Sequence, residues 1–162
     1  IVYEYLTSRD QSGPILQNPS GDMSGQAGGM DWYYIHTYYQ SWQHWGMSMC
    51  NPHFLSPLYN KLPNMTMPYS RIRSHHIGFN GTPCEVLDYR IMASWTKHWG
   101  SYEDPLPTTL TQLSTMGEIC YTPAKLNGWK FTLAIAYDHS KLIGNNFGGM
   151  LTICKSGWLS NK

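Results

Sequence analysis

The chain has 162 residues, with eleven Lys and Arg against ten Asp and Glu and a formal charge of +1. That length fits one domain of ordinary size, and the near-neutral balance excludes a broad positive field able to hold duplex DNA without regard to sequence. No run of eighteen apolar residues occurs and the opening IVYEYLTSRD has no charged-then-apolar leader pattern, so no segment is predicted to span a membrane.

In chain order, a short strand is predicted around Val2 to Leu6. A long surface excursion follows over 7–30, rich in Ser, Gly, Pro, Gln and Asn and without apolar periodicity. The stretch DWYYIHTYYQSW, 31–42, is aromatic and apolar on both faces, which predicts a buried strand. Pro52, Pro57, Pro63 and Pro68 then punctuate a loop-rich segment.

In TPCEVLDYRIMASWTKHWG, Thr82 and Glu85 have the spacing of a capping box and Pro83 suits a first helical position. Leu87, Ile91 and Trp95 recur every four residues and Gly100 can supply a left-handed stop, so a helix is predicted over about 83–99. A second, shorter helix is predicted over about 108–116, ended by Gly117. EICYT, WKFTLAIAY after the turn signal Asn127-Gly128, and MLTICK predict strands. The expected architecture is α+β: one domain over 1–162, an antiparallel sheet with a few helices grouped mid-chain.

Cys50, Cys84, Cys120 and Cys154 are even in number, and none forms a C-x-x-C pair, a pattern that predicts two disulfides and an oxidising compartment. The sequons at Asn64 and Asn80 point the same way, to a secreted, glycosylated protein.

Seven histidines are the first candidates for chemistry, and their spacing reproduces no H-E-x-x-H or compact ligand set, so no metal is expected. Two have suggestive surroundings. His98 follows Lys97 at the end of the predicted helix, where the dipole favours an imidazolium, and His36 sits among aromatic residues that exclude water. His98 also belongs to SWTKHWGS, 94–101, which echoes SWQHWGMS, 41–48.

Ile35-His36, then Cys50-Asn51-Pro52, then Trp95-Thr96-Lys97-His98, then Leu110-Thr111-Gln112-Leu113 and Gly117-Glu118-Ile119 follow an order that resembles the T-two family of acid ribonucleases. In that family the catalytic segments read I-H-G-L-W-P and E-W-x-K-H-G-T-C. Here the first continues Thr37-Tyr38-Tyr39-Gln40, and the family's glutamate falls on Ser94. The resemblance implies a secreted endoribonuclease cutting single-stranded RNA through a 2′,3′-cyclic phosphate, with no metal or organic cofactor. It assigns His36 as acid, His98 as base and Lys97 to the phosphoryl oxygens, while Tyr38, Tyr39, Trp95 and Trp99 are the rings to stack on bases.

Two other readings stand beside it. Cys84 in the first turn of a capped helix would be an activated thiol with His139 as its base, the logic of a cysteine peptidase or amidase. Alternatively, seven Trp and twelve Tyr exceed what a small core needs and could serve a binding or structural domain, with stacking platforms for a glycan or a base or a capsid-like role.

Overall fold

Side-chain alternation, with a period of two, organises the chain. The computed structural model describes residues 1–9, 42–49, 51–59, 67–101 and 104–157. Over these it forms eight strands: β1 (Val2–Thr7), β2 (Gln43–His44), β3 (Met47–Ser48), β4 (Ile72–Cys84), β5 (Leu87–Gly100), β6 (Pro105–Tyr121), β7 (Trp129–Ser140) and β8 (Gly144–Lys155). A single 3₁₀ turn, Pro57–Tyr59, is the only helical element among the described residues. None of these residues forms a helix long and apolar enough to cross a membrane.

Six strands make one sheet in the order β1-β4-β5-β6-β7-β8, and β2 and β3 pair separately. From β4 onward each strand neighbours the next in sequence, a meander. β6 pairs antiparallel with β7 from Gln112↔Ser140 to Tyr121↔Phe131. β7 pairs with β8 from Trp129↔Lys155 to Ser140↔Gly144. The chain divides into two compact units. One comprises Ile1–Glu4, His76–Trp95 and Gln112–Lys162, the other Tyr5–His75 and Thr96–Thr111.

The α+β expectation is overturned: the two predicted helices are the strands β5 and β6. A spacing of four is also a multiple of two, so Leu87, Ile91 and Trp95 share one face of a strand as readily as one face of a helix. The residues between them decide the matter, because Tyr89, Ala93 and Trp99 continue the same odd-numbered row, while Asp88, Arg90, Ser94 and Thr96 form the even one. Thr82 does not cap a helix; its hydroxyl donates to Asp88 Oδ1 at 2.6 Å across the β4–β5 hairpin. In 108–116 four threonines favour the pleated surface. Gly100 does take the left-handed conformation, at φ 84°, but it ends a strand. The predicted strands at Val2–Leu6, WKFTLAIAY and MLTICK fall within β1, β7 and β8, and EICYT falls within β6 up to Tyr121. The buried strand expected over 31–42 and most of the excursion over 7–30 lie outside the described residues.

The two-disulfide framework is also corrected, since Cys84, Cys120 and Cys154 are free thiols. Cys50 lies outside the described residues. Cys84 is exposed at the end of β4 and Cys154 is exposed on β8, whereas Cys120 is buried on β6.

In the unit built from Tyr5–His75 and Thr96–Thr111, Phe54, Met67 and Ile72 form a buried cluster with Leu6 packed against it. The β2–β3 hairpin turns at Trp45 and Gly46, whose φ values of 50° and 79° are those of a two-residue loop with both positions left-handed. Gln43 Oε1 accepts from Gly46 N at 2.6 Å, and Leu58 N donates to Gly46 O at 2.8 Å, which ties the hairpin to the 3₁₀ turn. Ser48 and Ser56 hydroxyls lie 3.0 Å apart, and Ser48 N donates to Ser56 Oγ at the same distance.

Candidate nucleic-acid interface

The same unit presents a row of cationic and aromatic side chains outward, because β4 and β5 alternate buried residues with larger, partly exposed ones. On β4, Ile72 and Ser74 are buried and Arg73 and His75 are not. On β5, Thr96 and His98 are buried and Lys97 and Trp99 are half-buried. The inner sides meet through Ser74 Oγ and Thr96 Oγ1 at 2.8 Å, with His53 Nδ1 at 3.2 Å from Ser74 Oγ. With the inner sides paired, the outer sides of the two strands share the other face.

On that outer side Arg73 lies over the Trp99 ring with its guanidinium carbon 5.7 Å from the centroid, and Arg9 lies over the same ring at 5.5 Å. Such contacts orient a guanidinium while leaving its charge intact. The chain leaving β1 is fixed here by Ser8, whose N donates to Ile72 O at 2.9 Å and whose hydroxyl donates to Ser70 O at 2.7 Å while accepting from Ile72 N at 3.0 Å. Arg71 Nε donates to Arg9 O at 3.2 Å, so one arginine positions the backbone of another. Arg71 and the end of β5 are laced together: Arg71 N donates to Gly100 O at 3.1 Å and Trp99 N to Arg71 O at 3.0 Å. Tyr5 and His75 add a tilted ring pair, centroids 5.0 Å apart, with Tyr5 exposed.

The described residues of this unit include four cationic side chains, Arg9, Arg71, Arg73 and Lys97, and one carboxylate, Asp104. The Nε of Arg73 is buried with no acceptor among the described residues.

Of the residues singled out in the sequence, His98 is enclosed, at 1% exposure, with the Tyr69 ring edge-on at 6.2 Å. It lies on the side of β5 opposite Lys97 and Trp99. Trp95 is exposed on the same strand. His36, Tyr38, Tyr39 and Asn64 lie outside the described residues. Asn80 is exposed on β4.

Cys84 and His139 are not brought together. Thr122 N donates to Val86 O beside Cys84, while His139 pairs with Leu113, nine residues back along β6. At the rise of a strand that separates them by about 30 Å. Cys84 ends a strand rather than opening a helix, and His139 Nδ1 is hydrogen-bonded to Asn145 Oδ1 at 2.7 Å.

Sequence reasoning singled out Lys97, Trp95 and Trp99 and missed Arg9, Arg71 and Arg73. The signal was present as RIR, 71–73, directly before SHH.

A concavity of about 220 Å³ belongs to the other unit and is lined by His76, Met92, Ser94, Ser114, Met116 and Asp138, among others. His76 Nδ1 and Ser94 Oγ are hydrogen-bonded at 2.7 Å within it. Among the described residues no group of three His, Cys, Asp or Glu is arranged to hold a metal ion.

No family model matches the chain, and no curated protein or solved structure matches it.

Proposed function

We propose that the protein is a binding module for single-stranded RNA, which docks on the outer side of β4 and β5. The observation that carries this reading is the pair of guanidiniums held over Trp99, with Lys97 beside them on β5. Single-stranded nucleic acid is held without regard to sequence by cations that track the phosphates and by rings on which bases stack. Arg9, Arg73 and Lys97 supply the first element, and Tyr5, His75 and Trp99 the second. A neutral glycan would use the rings but has no need of the arginines.

Duplex DNA is a poorer partner. Its rings are stacked away inside the helix, and the net charge of +1 gives no long-range field to compensate. The single-stranded RNA partner of the ribonuclease resemblance is retained in this reading and the cleavage is not. A general base must come within hydrogen-bond reach of the 2′-hydroxyl, and His98 is enclosed on the other side of its strand.

Photo-crosslinking to a uridine-rich oligonucleotide, followed by peptide mapping, tests the reading. Crosslinks on Tyr5, His75 or Trp99 support it. Crosslinks confined to other peptides, or efficient capture of a sulfated glycan in preference to RNA, overturn it.

A further inference from the structure

The sheet formed by β6, β7 and β8 is apolar on one of its two faces. Register places Ile119, Leu133 and Leu151 in one cross-strand row, with Ile135, Phe147 and Ile153 on the same face. These six side chains are 51% to 76% exposed. On the opposite face Cys120, Ala134 and Ser140 are buried, while Met150 and most of its β8 neighbours are exposed. That face also holds Glu118, Lys130 and Asp138, so that apart from Lys155 at the end of β8 every Lys, Arg, Asp and Glu of the three strands faces away from the apolar side.

An antiparallel sheet with one wet side normally turns its polar residues to water and its apolar ones inward. Here the apolar side is itself open, and no described residue covers those six side chains. With the flanking Tyr121 and Tyr137, the open apolar area is roughly 800 Å², above the few hundred Å² that a monomer ordinarily exposes and equal to one partner's share of a standard interface.

We propose that this face packs against the same face of a second copy of the chain, closing a two-layer sandwich. The area matches what a stable dimer needs on each side. The near-absence of charge favours a copy over an unrelated partner: a two-fold axis through the face brings each row against itself, and a face with no carboxylate and one cation, Lys155 at the end of β8, meets itself with little like-charge repulsion. Aligned sheets then interdigitate at about 10 Å, with the Phe147, Leu151 and Ile153 edge of one copy laid over the other. This proposal is independent of RNA binding, which uses residues of the other unit.

Sedimentation of the full chain without RNA, over a range of micromolar concentrations, tests it. The wild type should be a dimer. Leu151→Lys should weaken the dimer about 30-fold or more, the size of a central interface residue, while Met150→Lys, also exposed but on the opposite face, should leave it unchanged. Circular dichroism should show the strand signal retained in both. If Leu151→Lys loses that signal, Phe147→Lys, at a more exposed position, carries the same test. A wild-type monomer at every concentration overturns the proposal and assigns the cover to elsewhere in the same chain. A dimer that survives both substitutions overturns it in favour of edge-to-edge pairing through β8, and one lost in both overturns the assignment to this face.

Discussion

Arg73 and Trp99 are cross-strand neighbours whose contact, 5.7 Å from guanidinium carbon to ring centroid, gives the outer side of β4 and β5 its character. The ring holds a charge in place without neutralising it. Trp99→Ala should therefore weaken RNA binding by about 1–3 kcal/mol, through lost stacking and a released arginine together. Trp99→Phe should recover part of the loss. If both variants bind as the wild type does, the ring is structural only.

Purified protein should leave single-stranded RNA at full length in the presence of a chelator, because the one described histidine of the proposed ribonuclease pair is buried. End analysis by mass spectrometry checks this. Accumulation of 2′,3′-cyclic phosphate ends, abolished by His98→Ala, would contradict the binding-only reading.

The strands β1, β6, β7 and β8 could be read from sequence in whole or in part because β-branched and aromatic residues are concentrated there and Asn127-Gly128 marks the turn before β7. β5 could not, because apolar residues four apart satisfy both periods and Thr82-Pro83-Cys84-Glu85 imitates a helix start in a segment that pairs as a hairpin instead. The candidate site was partly legible. Lys97, Trp95 and Trp99 stood out in SWTKHWGS, but the resemblance drew attention to His98, and strand alternation turns that residue away from its neighbours. Arg9 and Arg73 lie 64 residues apart, and only the pairing of β1 with β4 brings both to Trp99.

Thiol chemistry distinguishes the free-cysteine structure from the disulfide framework it replaces. Alkylation of the native protein, mapped by peptide, should modify Cys84 and Cys154 and reach Cys120 only after unfolding. Recovery of any of these three as a disulfide-linked peptide would contradict the structure.

Two glycines test the backbone. Gly100 sits at φ 84°, and a Cβ there would lie 2.5 Å from Asp104 O and 2.7 Å from Leu106 N. Gly100→Ala should cost on the order of 1–3 kcal/mol and loosen the end of β5 on which Trp99 stands. Gly148→Ala, in β8 with open space around it, should be neutral or stabilising by up to about 1 kcal/mol. Thermal melts of the pair decide whether the local geometry is as described.

Burial sets a second contrast, between two phenylalanines. Phe54 is 4% exposed in the cluster beneath β4, and Phe54→Ala should cost about 3–5 kcal/mol. Phe147 is 76% exposed, so Phe147→Ala should change the stability of the isolated chain by less than about 0.5 kcal/mol. Equal losses in a denaturant titration would mean that the apolar face of β8 is already covered within one chain.

The most direct measurement is the salt dependence of binding to a labelled single-stranded RNA oligonucleotide, followed by fluorescence anisotropy, for the wild type and for Arg73→Ala. With Arg9, Arg73 and Lys97 each neutralising one phosphate, the logarithm of affinity should fall against the logarithm of salt with a slope of about −2, and Arg73→Ala should make it shallower by about 0.7. A slope near zero, or an unchanged slope in Arg73→Ala, would contradict an interface built on these cations.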